Sequence, residues 1–155
     1  MDKKYLIKLL QEQLTILDSA VVVLQESYDR VKPIFDQKLS QLSIEQRESC
    51  EALTARFSRL CDFLFQKLFR TIDQIELVEE GTAIDRLNRM EKRGIISSAH
   101  EWRLIRDLRN DIVHEYLIES SDQVLKDAFA STPLLIKTVQ LLKNYVAAKK
   151  YTAQK

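Results

Sequence analysis

The sequence predicts an all-α protein: an antiparallel, up-and-down bundle of about five helices in one domain over residues 1–155. Three observations carry this prediction. Glycine and proline, the residues least compatible with a helix interior, occur only twice each. The chain is rich in Leu, Gln, Glu, Lys and Arg, which lose little rotamer freedom on a helix. Apolar positions recur in alternating steps of four and three, and no segment alternates apolar with polar for long enough to suggest a strand.

The first helix is read from Leu10, Leu14, Leu17, Val21, Leu24, Tyr28 and Val31, one stripe with Lys8, Gln11, Glu12, Gln25, Glu26 and Asp29 off it. It should end near Pro33, because proline disfavours the α conformation in the residue before it. Ile34 to Leu42 carries weak signals and reads as a possible continuation beyond a kink. Ser43-Ile44-Glu45-Gln46 has the capping-box pattern and opens a long second helix through Leu53, Phe57, Leu60, Leu64, Leu68, Ile72 and Ile75. Gly81 is expected to stop it in a left-handed cap. Thr82 caps a short third helix through Ile84, Leu87 and Met90 that stops at Gly94. Ser98-x-x-Glu101 opens a fourth through Trp102, Ile105, Ile112 and Tyr116, and Ser120-x-x-Gln123 a fifth. Thr132-Pro133 resembles a cap followed by proline at the first helical position, so a break or restart is expected there. The last stripe, Leu135, Val139, Leu142 and Val146, is expected to fray at Lys149-Lys150-Tyr151; Tyr5, Tyr28, Tyr145 and Tyr151 read as core, boundary or tail.

At 155 residues the chain is long enough for a real core. Its 24 basic and 23 acidic side chains give a net charge of +1, so no overall field draws it to nucleic acid, and any such binding must come from a local patch. No run of about eighteen apolar residues exists to span a membrane, and the start leads into an amphipathic pattern; the expected location is cytoplasmic. Cys50 and Cys61 are separated by about 16 Å of helical rise, too far for a disulfide, and read as buried free thiols. The second helix adds Phe63, Phe65 and Phe69 to its stripe. A helix apolar on more than one side is either central or buried against a second subunit, and so a homodimer is one of the two expectations.

Most catalytic schemes lack their residues. There is no glycine-rich phosphate loop, no His-Glu-x-x-His, no Gly-x-Ser-x-Gly and no paired-cysteine metal signature; no metal and no cofactor is expected. Of the two histidines, His100 sits in a first helical turn and reads as a surface or capping residue. The informative segment is Trp102 to Tyr116, which gathers Arg103, Arg106, Arg109, Asn110 and His114 onto a helix that also carries core positions. Arg106, Asn110 and His114 share a face, which places Asn110 to orient the imidazole of His114 or to donate to a phosphate; Arg109 and Tyr116 share another. RNA transesterification needs a base near the 2′-hydroxyl, which histidine supplies near neutrality, and a fixed cation for the charge on the phosphorane, which a guanidinium supplies. Arg109 and His114 are five apart, about 140° round a straight helix, so one regular helix does not aim both at one atom. The arginine must sweep round, the helix must loosen near Glu115, or a second copy must complete the site. The blander alternative is a solvated helix face on which Arg106, Asp107, Arg109 and Asp111 pair.

Arg109-Asn110-Asp111-Ile112-Val113-His114-Glu115-Tyr116 resembles the R-x4-H-x-Y signature of the HEPN family, specifically its HepT-type toxins. The polar residue after the arginine, Trp102 upstream and the late position of the motif in an all-helical chain match too. The likeness in helical pattern covers most of the chain; the specific residues lie within Trp102 to Tyr116. The resemblance implies a homodimeric helical bundle that brings two Arg-x4-His motifs into a cleft and cuts RNA without metal. It implies that Arg109 clamps phosphate, that His114 is general base or acid, and that Asn110, with Arg106 on its face, supports them. It also implies a partner, a minimal nucleotidyltransferase (MNT) antitoxin, that silences the toxin by transferring AMP to Tyr116. Some members of the family are instead nucleotide- or substrate-binding partners of the transferase, and a purely structural helical interaction protein is a third reading. Arg86, Arg89, Lys92, Arg93, Arg103, Arg106 and Arg109 outnumber the acidic residues around them, so a basic groove between the third and fourth helices is a further expectation.

Overall fold

A computed structural model describes residues 2–78, 81–114 and 118–152, and the side chains of these except 118–120. Every regular element among the described residues is helical: α1 (Lys3–Val31), a 3₁₀ turn (Leu39–Gln41), α2 (Ile44–Phe63), a π turn (Leu64–Leu68), α3 (Phe69–Ile75), α4 (Ala83–Lys92), α5 (Ala99–His114) and α6 (Ile118–Ala148). α2, the π turn and α3 follow one another without a gap. The chain therefore forms a helical bundle of five rods.

α1 stops at Val31, ahead of Pro33, and the following residues form turns rather than a kinked extension of the helix. Leu10, Leu17, Leu24 and Val31 are fully buried, and Leu14, Val21 and Tyr28 pack partly against the same core. α6 lies antiparallel to α1. Lys143 pairs with Asp18 at 2.6 Å, Phe129 stacks between Tyr28 and Phe35 with centroids 4.4 and 4.2 Å away, and the Gln11 amide donates to the carbonyl of Tyr151. Ser43 and Gln46 form the expected capping box of α2. Both cysteines are buried and free.

The α2–π–α3 rod buries Phe57, Leu60, Cys61, Leu64, Phe65, Leu68, Phe69 and Ile72 against its neighbours within the chain. Its apolar girth is thus explained by a central position, without a second subunit. At the π turn the Phe69 N–H reaches back five residues to the Leu64 carbonyl, which frees the Phe65 carbonyl from its usual helical donor.

Four boundaries differ from expectation. The second rod ends at Ile75, well before Gly81, in a Schellman cap: Leu77 N–H bonds to Gln74 O at 3.1 Å and Val78 N–H to Asp73 O at 2.8 Å. Leu77 takes the left-handed position at φ 60°, where a glycine was expected. Gly81, at φ 109°, instead makes room for the next helix's capping box; a Cβ there would lie 2.5 Å from Asp85 Oδ2, the oxygen that accepts from the Thr82 N–H. The break expected at Thr132-Pro133 is absent, and α6, which begins at Ile118 rather than at a Ser120 cap, runs through the proline. Leu125, Ala128 and Phe129 before it and Leu135, Val139 and Leu142 after it are all buried. An interior proline costs about 3 kcal/mol, whereas each large apolar side chain buried contributes about 1.5–3 kcal/mol, so packing on both sides wins. Finally, Tyr151 does not fray: it is buried, follows a cap with Lys150 at φ 56°, and its hydroxyl donates to Glu76 at 3.1 Å.

Candidate active site on the fifth helix

The sequence starts α5 with Ser98, whose hydroxyl accepts from the Glu101 N–H at 3.2 Å. Trp102, Ile105 and Leu108 form its buried stripe. Trp102 packs on Phe69 with centroids 5.1 Å apart and donates through Nε1 to Thr138 Oγ1 at 3.0 Å. That single polar bond satisfies an indole otherwise sealed in the core and fixes the rotation of α5. The polar residues of the motif are thereby turned outward and toward α2.

Arg109 reaches α2. Its Nη2 donates to Asp62 Oδ2 at 2.8 Å, and Nε lies 2.8 Å from Oδ1 as an ion-pair contact out of hydrogen-bond alignment. Nη1 donates to Asn110 Oδ1 at 3.2 Å. The side chains of Arg109 and Asp62 are 30% and 41% exposed, so the pair sits at the surface with guanidinium N–H groups left over. The Asp62 hydrogen bond and charge hold the Arg109 pKa above its ordinary value, keeping the cation fully charged. Asn110 therefore positions the arginine next to it, not the imidazole a turn further on.

Arg106 lies over Phe65, its guanidinium carbon 3.8 Å from the ring centroid. Arg86 approaches the same ring at 5.1 Å and donates to the Phe65 carbonyl, the acceptor that the π turn releases, at 3.3 Å. His114 occupies the last turn of α5 and is exposed; no hydrogen bond or ion pair joins it to any described residue. α5 is regular through both Arg109 and His114. The offset of about 140° between positions five apart on a helix therefore persists, and nothing within the described residues closes it. Tyr116, the expected modification site, lies outside the described residues. His100 is exposed, as expected. Beside the motif a cleft of about 620 Å³ opens between α2, α5 and α6, lined by Arg47, Cys50, Glu51, Ile112 and Leu125 among others.

The expected basic groove does not form. Arg89 and Arg93 donate to Asp73 at 2.8 and 2.6 Å, Arg86 Nε stands 3.6 Å from it, and Asp73 is only 1% exposed. Arg93 also meets Glu76 at 2.5 Å, and the Tyr145 hydroxyl donates to the same carboxylate. Arg86 and Arg89 of α4, with Arg93 at its C-terminal cap, thus serve a buried carboxylate on α3 rather than a groove. Lys92 and Arg103 remain exposed.

Asp62, Phe65 and Asp73 are the site-building residues that sequence reasoning missed. The spacing of Arg86, Arg89 and Arg93 at three and four residues along one face carried a signal, because three guanidinium groups on one face can converge on a single carboxylate. Asp62, between Cys61 and Phe63, was a carboxylate set in an apolar run, and such a group needs a partner. What this geometry defines is a helical-bundle protein with an oriented, surface-accessible guanidinium and, on the same helix, an exposed imidazole with no partner among the described residues. Comparison with known proteins adds no relative: no family model, no curated protein and no solved structure matches the chain.

Proposed function

We propose that the protein is a metal-independent endoribonuclease of the HEPN type, and more particularly a HepT-like toxin that works as a homodimer. The observation that carries the reading is Arg109: a guanidinium oriented by Asp62 and Asn110, accessible, and five residues ahead of an unengaged His114. A guanidinium held in place before the substrate arrives stabilises developing phosphorane charge without reorganising. Since one α5 does not converge its two groups, the site is completed by the α5 of a second copy, His114 of one protomer serving as base or acid beside Arg109. Val113, 47% exposed between these residues, gives the motif face apolar area for such a contact. The partners on this reading are RNA and a minimal nucleotidyltransferase (MNT) antitoxin, with Tyr116 as the residue it would modify with AMP. No metal or cofactor is invoked.

The reading is tested by incubating the protein with single-stranded RNA in EDTA. Cleavage is expected. His114→Ala and Arg109→Ala should each slow it by about 10²–10³-fold, the usual scale for losing a general base or a preorganised cation. Both should retain the wild-type circular dichroism spectrum. Absence of cutting by the wild-type dimer, or unimpaired cutting by either variant, overturns the proposal. A second reading has one observation in its favour: the Asp62–Arg109 pair already satisfies much of the guanidinium, which suits a non-catalytic module that presents a nucleotide or surface to the transferase. That reading predicts a stable complex with the transferase and no cleavage.

A further inference from the structure

The two ends of the bundle's longest helices meet. The first turns of α1 and the last turn of α6 enclose a cleft of about 830 Å³ lined by Lys3, Lys4, Tyr5, Lys8, Lys149 and Lys150 with Asp2 and Tyr151 beside them. All five lysines are exposed. The only lysine ion pair among the described residues is Lys143–Asp18, so none of the five is neutralised there. Asp2 spends its carboxylate on the Lys4 N–H as the cap of α1. In a protein of net charge +1, five lysine cations against the single carboxylate of Asp2 in the lining make a concentrated positive field.

The placement of two of the lysines argues against a role in stability. Helix N-termini favour acidic side chains, because the macrodipole is positive there. The first turn of α1 carries no acid and two cations, Lys3 and Lys4. Lys3 lies over the Tyr151 ring at 5.8 Å from its centroid, but Lys4 makes no such contact among the described residues, and a cation kept there against the dipole is the mark of a binding surface. Tyr5, 54% exposed, stands one turn from Lys8 on the same helix. Cations that follow a phosphodiester backbone, next to an aromatic face on which a base can stack, are the two components of single-strand recognition. Insertion into a membrane surface would need a broad apolar face as well as charge, and of the large apolar residues lining this cleft only Tyr5 is well exposed; attraction to anionic lipid by charge alone would leave Tyr5 without a role.

We propose that this cleft binds single-stranded RNA through Lys3, Lys4, Lys8, Lys149 and Lys150, with Tyr5 stacking on a base. The inference stands apart from the Arg109–His114 reading, because it concerns affinity at the opposite ends of other helices and needs no chemistry there.

The test is fluorescence anisotropy of the full chain with a labelled 2′-O-methyl oligouridylate, which cannot be cut through its 2′-oxygen. Replacing Lys3, Lys4 and Lys8 together by Gln keeps helix propensity and removes charges that oppose the dipole, which offsets the loss of the Lys3–Tyr151 contact, so the variant should melt close to wild type. It should bind at least tenfold more weakly. Each phosphate contact on a single strand contributes about −0.7 to the slope of log K against log salt, so the slope should flatten by about 2. Tyr5→Ala should weaken binding to the oligonucleotide several-fold and leave binding to inorganic polyphosphate unchanged. The strand cannot be cut, so a loss of affinity in the triple variant stands whether or not the protein cleaves RNA at Arg109 and His114, which separates the two proposals. Unchanged affinity and slope in the triple variant overturn the cleft. Equal affinity for polyphosphate and oligonucleotide, with Tyr5→Ala affecting neither, overturns RNA as the ligand. Lysine-dependent binding to phosphatidylserine vesicles without binding to the oligonucleotide does the same.

Discussion

Leu77 and Lys150 occupy the left-handed positions of two helix caps, at φ 60° and 56°, while Gly94 fills the equivalent place after α4 at φ 74°. The three caps share their hydrogen bonds: Ile95 N–H to Met90 O and Tyr151 N–H to Val146 O repeat the bond from Val78 to Asp73. A left-handed L-residue costs about 1–2 kcal/mol, whereas glycine enters that region freely at a larger entropic cost from the unfolded chain. Leu77 is 90% exposed and so returns almost nothing by burial. Leu77→Gly should therefore stabilise the protein by about 0.5–1 kcal/mol, read as a higher urea midpoint; a lower midpoint would show that the Leu77 side chain has a role outside the cap. This is also where the sequence misleads at the finest scale. The cap at Gly94 was readable because glycine marked it. The other two were not, since backbone hydrogen bonds and the neighbouring core impose a conformation that the residue type disfavours. Arg109 was legible for the opposite reason, because its partners in the motif lie beside it in sequence, while Asp62 sits on another helix.

Among the elements, α3 and α4 are joined by a charge cluster as well as by the core that buries Ile72, Ile75, Leu87 and Met90. Asp73 is one carboxylate facing Arg86, Arg89 and Arg93, whose side chains are 12–20% exposed. Removing one side of a buried ion cluster leaves the other uncompensated, and the loss is larger than the pair's net contribution. Asp73→Asn is expected to destabilise by about 3 kcal/mol, with the partial exposure of the arginines already taken into account. Asp18→Asn, which breaks a pair 42% and 56% exposed, should cost under about 1 kcal/mol. Urea unfolding of both variants checks the ratio, and similar losses would show that the native protein solvates the Asp73 cluster no less than a surface pair. At this scale helix existence and most starts were legible, because capping boxes and stripes are local. The continuity of α6 through Pro133 was not, since it depends on which side chains the rest of the bundle buries. The π turn had no sequence mark either. Leu64, Phe65, Leu68 and Phe69 around it are all buried, as positions i, i+1, i+4 and i+5 would be on a regular helix, so periodicity alone does not reveal the turn.

For the molecule as a whole, the buried thiols and the tyrosines around Glu76 set an alkaline limit. Burial pushes Cys50 up to about 11 and Cys61 up to about 12, from an ordinary value of 9.0. Burial first, and then hydrogen bonding to Glu76, raises Tyr151 to about 12 from 10.0, and Tyr145 moves the same way. A folded-state pKa above the unfolded one means that the native protein holds its protons longer. The stability this represents is complete below the unfolded value and is lost as pH rises through the folded value. Stability should fall from about pH 9 upward, steepest between the ordinary thiol value and about 11, with no matching loss from these groups toward neutrality. The double variant Cys50→Ala, Cys61→Ala should be weaker at pH 7, by the small cavities it leaves, yet show a flatter decline between pH 9 and 11 in urea titrations. An unchanged slope would remove the thiols from the account. The helical class and the exposed histidine were legible at this scale, because both follow from composition and periodicity. The fate of the basic stretch was not, because only the assembled bundle shows that three of its arginines turn inward.

Trp102 is the single tryptophan of the chain, sealed between Phe69 and Thr138 at the seam of α5 and α6. The protein consequently carries its own optical reporter for the helix that bears Arg109 and His114. A shift of its emission to longer wavelength records water reaching that seam, so any ligand or partner that pries α5 from α6 announces itself without an attached dye, whereas one that touches only the outer face of the helix leaves the spectrum still.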